Sequence, residues 1–153
     1  MFPEDFKEFI GLMISNRVRF VMIGGYAYNL YRNPRATGDI DFLVDLDAEN
    51  EARLRQALFE FGFGSSLPSE PQRLLEDGKV IMLGRSPLRI DILTRIDGVE
   101  FTEVYETRLS VELDGMTIPV ISPRTLLKNK IAAARPKDMA DVLELEAWLQ
   151  SHD

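Results

Sequence analysis

The sequence predicts an α/β protein, with a small mixed β-sheet flanked by helices. Short runs of β-branched and aromatic residues alternate along the chain with segments whose apolar residues recur at helical spacing. Turn-forming residues separate the two kinds of segment. The chain has 153 residues, of which 45% are hydrophobic, a size and composition that suit one core. We therefore expect residues 1–153 to form a single domain.

In the first half of the chain, the spacing of apolar residues changes repeatedly between the helical and the alternating pattern. Asp47 stands where it can cap one of the predicted helices, and Gly62 stands where that helix ends. The predicted elements are a helix over 3–16, a strand over 19–23, a short helix over 26–31, a strand over 39–45 and a helix over 48–61.

The second half predicts two hairpins followed by two helices. Asp114 and Gly115 form a two-residue turn signal between the strands of the second hairpin. Ser122 can cap the first of the two helices, and Pro136 breaks it. Trp148, in the last helix, is interpreted as a core anchor, with a base-stacking platform as the alternative. The predicted elements are strands over 79–83 and 88–93, strands over 110–113 and 117–121, and helices over 123–134 and 137–150.

Three aspartates in predicted strands form the candidate site. Asp39 and Asp41 flank Ile40, and because strand residues alternate between faces, both carboxylates project to one side. Asp91 lies alone in the apolar run 88–93, where a neighbouring strand could deliver a third carboxylate. Clustered carboxylates repel one another and favour a hard cation such as Mg²⁺, and three of them could hold two ions. The alternative is a surface strand that carries alternate acids.

A glycine pair precedes these acids. Gly24 and Gly25 stand between the predicted strand 19–23 and the predicted helix 26–31. They have no side chains to obstruct a ligand, and the free N–H groups of the following helix would face an anion, so the segment is a candidate cradle for a triphosphate. A tight turn without a ligand is the alternative interpretation.

The order of these motifs resembles the nucleotidyltransferase superfamily typified by DNA polymerase β. More narrowly, it resembles the small bacterial branch of abortive-infection and toxin–antitoxin nucleotidyltransferases. The stretches that carry the resemblance read GGYAYNL from residue 24, PRATGDID from residue 34, LKNKIAA from residue 127 and RPKD from residue 135. The resemblance implies the minimal nucleotidyltransferase fold and metal-dependent transfer of a nucleotidyl group from an NTP to an acceptor hydroxyl. The acceptor stays open among RNA such as tRNA, a protein and a small molecule.

The resemblance also implies roles for individual residues. The three acids would bind two Mg²⁺ ions and take part in catalysis, and Lys130 would act on the triphosphate, with Lys128 as the fallback. The residues assigned to nucleotide binding are Gly24, Gly25, Arg35, Thr37 and Lys130. Asp138 and Asp141 match the resemblance as well, but acids also stabilise a helix N-terminus without any further role.

The chain departs from the pattern of its relatives at two places. Tyr31 and Arg32 stand where many relatives have His-Gly, and Gly25 replaces the serine of the wider superfamily. These departures keep a second hypothesis open, a non-catalytic antitoxin or interaction module with the same fold. In either case a cognate toxin or antitoxin is a candidate partner.

Composition excludes several other classes of protein. The chain has no cysteine, which excludes disulfides and thiolate catalysis, and its one histidine, His152, is expected in a solvated tail. A net charge of −7 argues against broad nucleic-acid binding. The acid-free stretch 121–137 could still contact a triphosphate or a stretch of RNA, or be a solvated helix face. No membrane segment or signal peptide is apparent, so we expect a cytoplasmic protein.

Overall fold

The computed structural model describes residues 2–32, 38–68 and 72–152. We number its helices and strands in chain order. The helices are α1 (Glu4–Ser15), α2 (Gly24–Tyr31), α3 (Ala48–Glu60), α4 (Phe101–Glu106), α5 (Pro123–Ala133) and α6 (Pro136–His152), with a 3₁₀ turn at Gly64–Ser66. The strands are β1 (Phe20–Ile23), β2 (Ile40–Val44), β3 (Val80–Arg85), β4 (Leu88–Leu93), β5 (Leu109–Leu113) and β6 (Met116–Val120).

The six strands form one mixed sheet in the order β3-β4-β2-β1-β6-β5. The outer pairs, β3 with β4 and β5 with β6, are antiparallel hairpins. In the centre, β1 pairs with β2 in antiparallel and with β6 in parallel orientation, and β2 pairs with β4 in parallel orientation. The predicted α/β class, with a small mixed sheet flanked by helices, is confirmed.

One face of the sheet is covered by α1 and α3. The ring of Phe42 in β2 lies 5.9 Å from that of Phe9 in α1 and 5.6 Å from that of Phe20 in β1, centroid to centroid. All three rings are buried, together with Leu54 of α3. Because alternate residues of a strand point to opposite faces, this packing turns Asp41 toward the other face of the sheet.

The two helix caps and the hairpin turn predicted from the sequence are present in the structure. The Asp47 side chain accepts hydrogen bonds from the backbone N–H groups of Glu49 and Asn50 at the start of α3. Asp114 and Gly115 both have positive φ, 50° and 80°, in the turn between β5 and β6. The Ser122 hydroxyl accepts a hydrogen bond from the Thr125 N–H at the start of α5.

Other elements differ from the prediction. The glycine pair forms the first turn of α2 instead of a separate loop, and α4, which has only six residues, was not predicted. Pro136 begins α6 as well as following α5, because proline is tolerated where a helix N–H has no partner. Trp148 is half-buried against Tyr31 at 5.7 Å and is not part of the core. His152 lies in the last turn of α6, stacked on Trp148.

No helix in the described ranges combines the length and the apolar character that a membrane span requires.

Candidate active site

The three predicted acids converge on one cleft. Asp41 in β2 and Asp91 in β4 are directly opposite each other in the parallel pairing of the two strands, and Asp39 immediately precedes β2. All three line a cleft of about 1010 Å³ on the sheet face opposite α1 and α3. Gly24 and Gly25 at the start of α2 and Lys130 of α5 line the same cleft. The sheet therefore brings together residues that are up to about a hundred positions apart in the chain.

Gly24 is required by the acids as well as by the turn. Its φ is +71°, a conformation that side chains disfavour, and a Cβ at this position would overlap the Asp41 carboxylate. The sequence suggested that the missing side chain makes room for a ligand. The structure shows that it also makes room for Asp41, at the point where β1 leads into α2.

Gly38 positions Asp39 by the same means. A Cβ on Gly38 would overlap the carbonyl of Pro87 in the turn between β3 and β4. This close approach brings Asp39 to the neighbouring hairpin, where its Oδ1 accepts a hydrogen bond from the backbone N–H of Arg89 at 3.2 Å. The Ser86 hydroxyl lies 3.4 Å from the same oxygen. Asp39 is thus held by the close packing of the backbone at Gly38 and by hydrogen bonds from the hairpin.

Arg89 is the cation of this site that the sequence analysis did not identify. Its guanidinium forms a bidentate pair with Asp91, with Nε 2.7 Å from Oδ1 and Nη2 3.0 Å from Oδ2. The same Nη2 lies 3.2 Å from Oδ2 of Asp39. The signal was present, because Arg89 is two residues before Asp91 in β4 and therefore on the same face of the strand. We call Asp39, Asp41, Asp91 and Arg89 the acid cluster.

The acid cluster retains an excess of negative charge despite Arg89. Burial and the Asp91 carboxylate beside it raise the pKa of Asp41 from 3.8 to about 6, and the charge of Asp39 acts in the same direction. The charge of Arg89 opposes this rise but does not cancel it. A carboxyl group whose pKa is raised by its neighbours is a site that a bound cation would stabilise.

The donor set fits a hard divalent cation, and Arg89 competes for it. Carboxylate oxygens are the ligands that Mg²⁺ prefers, and three carboxylates meet here. In the arrangement seen, no group of three or more acidic, histidine or cysteine side chains within the described ranges is spaced to hold a metal ion. In the same arrangement Arg89 engages both oxygens of Asp91 and one of Asp39.

Lys130 also lines the cleft, but carboxylates from α6 partner its ammonium group. Its Nζ lies 2.9 Å from Oδ2 of Asp141 and 3.5 Å from Oδ1 of Asp138, and 5.5 Å from the centroid of the Tyr28 ring. Arg135 donates hydrogen bonds to Asp138 in turn. We call Lys130, Arg135, Asp138 and Asp141 the lysine cluster. Two cations of the acid-free stretch, Lys130 and Arg135, are thus neutralised by acids just beyond its end.

Three members of the lysine cluster are almost fully buried. Lys130 is 7% exposed, Asp141 3% and Asp138 1%. Burial raises the pKa of Asp138, but the hydrogen bonds and charge of Arg135, with the charge of Lys130, outweigh it and lower the net pKa below 3.8. Lys128, the fallback, is exposed, pairs with Glu103 at 2.9 Å and lines a different surface pocket.

The residues that depart from the family pattern hold α2 in place. The Tyr31 hydroxyl donates a hydrogen bond to the carbonyl of Ile121 at 2.6 Å, just before α5. Arg32 lies 3.5 Å from Glu144 of α6, and the Tyr28 hydroxyl donates to the same carboxylate at 2.5 Å. These contacts fix the helix that begins with the glycine pair against the two C-terminal helices.

Two of the predicted nucleotide-binding residues, Arg35 and Thr37, lie outside the described residues. The rim of the cleft carries further cations that the site prediction did not name, Arg95, Arg135 and Lys137. Arg135 and Lys137 belong to the basic stretch already noted in the sequence. Arg95 lies two residues after the end of β4, and its pairing with Asp77 at 3.6 Å was not visible from the sequence.

The glycine turn, with two acids on adjacent strands and a third just before β2, defines a protein of the nucleotidyltransferase type. A family model described as nucleotidyl transferase AbiEii toxin, type IV toxin–antitoxin system, matches residues 15–152. The chain belongs to this family of nucleotidyltransferase toxins. No curated protein sequence matches the chain.

Solved structures share the fold. A proposed nucleotidyltransferase from Thermotoga maritima superposes with a TM-score of 0.56 at 18% identity, covering 95% of this chain and 91% of that one. The solution structure of the antibiotic-resistance factor ANT(2″)-Ia gives 0.57 at 14% identity, covering 97% and 91%. The crystal structure of ANT(2″)-Ia with adenylyl-2″-tobramycin gives 0.56 at 13% identity, covering 95% and 93%. At these identities the likeness establishes the fold.

Proposed function

We propose that the protein is a metal-dependent enzyme that transfers a nucleotidyl group from an NTP to an acceptor hydroxyl and releases pyrophosphate. The observation that carries this proposal is the register of Asp41 against Asp91 across two parallel strands, with Asp39 at the entrance to β2. Family membership supports nucleotidyl transfer in general. The donor chemistry of the acid cluster supports the metal.

Each of the three acids has a role in this proposal. Asp39 and Asp41 would bind both metal ions, and Asp91 would complete the coordination of the ion that activates the acceptor. The acceptor oxygen forms a bond to the α-phosphorus, the bond to the leaving pyrophosphate breaks, and the acceptor proton passes to Asp91. Bound Mg²⁺, two ions in the full assignment, would supply charge stabilisation for the phosphates and lower the pKa of the acceptor hydroxyl.

The start of α2 seats the phosphates. Gly24 and Gly25 line the cleft, and the first N–H groups of a helix are suited to an anion. Lys130 reaches the same cleft and balances charge on the triphosphate, while Asp141 holds its ammonium in position. Arg35 and Thr37 remain assigned to nucleotide binding by the family resemblance alone.

A non-catalytic module is the second candidate, and one observation favours it. Arg89 and Lys130 are both already paired with carboxylates of the chain itself, as expected where charges serve the fold and not a substrate. In that case the protein would act through a partner, as an antitoxin or interaction module. The family description, which names a toxin, favours the enzyme.

The proposal extends to where the protein acts and to its partners. We propose that it acts in the cytoplasm, where NTPs are available, and that a cognate antitoxin opposes it, as the family description suggests. The acceptor is open among tRNA or another RNA, a protein side chain and a small molecule. The adenylylated tobramycin in the ANT(2″)-Ia structure is an example of a small acceptor in a protein of the same fold.

Incubation with labelled substrate tests the proposal directly. The purified protein is mixed with each of the four α-labelled NTPs, Mg²⁺ and fractions of a cell extract, beside Asp41→Asn as the matched control. The enzyme proposal predicts label in one fraction that depends on both Mg²⁺ and Asp41. If the protein binds nucleotide but no fraction becomes labelled, the non-catalytic module would be the favoured function.

A further inference from the structure

Arg89 lies between two carboxylates of the acid cluster. Its guanidinium engages both oxygens of Asp91, at 2.7 and 3.0 Å, and one oxygen of Asp39, at 3.2 Å. The bidentate geometry is the strong form of a charge-assisted hydrogen bond. A single side chain thus neutralises part of a three-carboxylate cluster from within the protein.

These hydrogen bonds use the oxygens that a metal ion would need. A divalent cation that binds Asp91 and Asp39 would have to share the carboxylates with a guanidinium, and the two positive charges repel each other at such short range. The guanidinium is tethered in β4, but its side chain is 31% exposed and borders the open cleft. It therefore has room to leave the carboxylates.

We propose that Arg89 is an internal counter-ion that holds the metal site of the nucleotide-free protein and gives it up when a metal ion arrives with a triphosphate. This inference rests on the proposed function, since it concerns the same acids. Metal alone must displace Arg89 without compensation and binds weakly. Metal with an NTP brings new phosphate oxygens to which the displaced guanidinium can bind.

The consequence is that metal and nucleotide bind cooperatively. The cleft favours metal and nucleotide together over metal alone, so the divalent ions are recruited with their substrate. In thermodynamic terms, Arg89 couples the affinity for the metal to the affinity for the nucleotide, and the coupling is the same in both directions.

The test measures Mn²⁺ binding without nucleotide, by electron paramagnetic resonance of the free ion. Arg89→Gln is compared with the unmutated protein and with Arg95→Gln, which removes the same charge from the wall of the same cleft where the side chain is 70% exposed. The proposal predicts that Arg89→Gln tightens the Kd for Mn²⁺ about tenfold, the scale of one charge-assisted hydrogen bond. Arg95→Gln should stay within about twofold, because an exposed charge is screened.

A second variant covers the case in which Arg89→Gln does not fold. Arg89→Lys keeps the positive charge but loses the planar fork that pairs with a carboxylate, so its Mn²⁺ affinity should lie above that of the unmutated protein. A non-hydrolysable NTP analogue added with Mn²⁺ should reduce the advantage of either variant, because the guanidinium of the unmutated protein then has phosphate oxygens to bind. Thermal melting in EDTA checks that each variant is folded.

The two proposals fail in different ways. Equal Mn²⁺ affinity in the unmutated protein, Arg89→Gln and Arg89→Lys would overturn the role of Arg89 and leave the metal site standing. Equal gains for Arg89→Gln and Arg95→Gln would also overturn it, since charge alone would then explain the change. No Mn²⁺ binding in any of these proteins, with or without the NTP analogue, would overturn both proposals together.

Discussion

Two charged clusters border the same cleft and differ in how their charges balance. The acid cluster has three carboxylates for one guanidinium, and burial together with the neighbouring carboxylates raises the pKa of Asp41. The lysine cluster matches two cations with two carboxylates, and the pKa of Asp138 falls. An excess of like charge leaves a site that binds an external cation, whereas a balanced set in a buried place serves the scaffold. The comparison therefore assigns metal binding to the first cluster, whereas the second supports the scaffold and holds Lys130 in the cleft, where we propose that it contacts the triphosphate.

The largest expected effect comes from removing one carboxylate of the acid cluster. Asp41→Asn should reduce label transfer on the order of a thousandfold, because it removes a metal ligand and part of the charge that holds the metal. The metal-free mutant should be as stable as the unmutated protein or more stable, since a repulsive carboxylate is gone. Single-turnover transfer and urea unfolding in EDTA measure the two effects. If the loss of transfer is accompanied by a clear fall in the free energy of unfolding, Asp41 would belong to the scaffold.

The lysine cluster should behave in the opposite way. Lys130→Met removes the cation between Asp138 and Asp141 and leaves both carboxylates buried, which should lower the free energy of unfolding by about 3 kcal/mol. Urea unfolding measures this loss. Adding Asp141→Asn to Lys130→Met should recover part of it, because the mutant pair removes an unpaired charge. A Lys130→Met protein of unchanged stability would show that the cluster is not part of the scaffold.

The dependence of stability on pH also separates the clusters. In the metal-free fold the pKa of Asp41 is about 6 against an ordinary 3.8, so between pH 4 and 6 the folded state holds a proton that the unfolded state has lost. Its contribution to the free energy of unfolding therefore falls as pH rises through this range, by at most about 3 kcal/mol. Asp138 has the opposite sign: its lowered pKa contributes stability above pH 4 that is lost as pH falls below 3.8.

Urea unfolding in EDTA at several pH values checks the first of these signs. The difference in stability between Asp41→Asn and the unmutated protein cancels the titration of the other carboxyl groups. It should be small at pH 4 and should grow in favour of the mutant up to pH 7. A difference that does not change with pH would show that Asp41 ionises like an isolated carboxyl group.

The smallest expected effect concerns the contacts that join α2 to the scaffold. Tyr31→Phe removes the hydrogen bond to the Ile121 carbonyl and should lower the free energy of unfolding by about 1 kcal/mol. Transfer should change little, because α2 keeps the contacts of Tyr28 and Arg32 with Glu144. A large loss of transfer at unchanged stability would assign this position a direct role at the cleft.

Local features of the fold could be predicted because their causes are local. The Asp47 and Ser122 caps and the turn at Asp114 and Gly115 depend on residues within a few positions of each other. The short helix α4 was missed because six residues are too few to show a periodic pattern, and its first residue follows Glu100, whose side chain makes no capping hydrogen bond.

The site could be predicted in its members but not in its charge balance. Alternation along a strand indicated the carboxylates, and the parallel pairing of β2 with β4, which brings Asp41 to Asp91, joins segments about fifty residues apart. The same alternation would have indicated Arg89. The partners of Lys130 come from α6, and only the packing of α5 against α6 brings them together. Such contacts depend on tertiary structure, which no local pattern encodes.

The acid cluster is expected to bind Mg²⁺ together with a nucleotide. Thermal melting with and without Mg²⁺ and a non-hydrolysable NTP analogue tests this expectation. At a ligand concentration near one hundred times Kd, the unmutated protein should melt roughly 5 to 10 °C higher with both additions than with neither. Asp41→Asn should not shift. A shift of the same size in both proteins would contradict the account, because the ligand would then bind elsewhere.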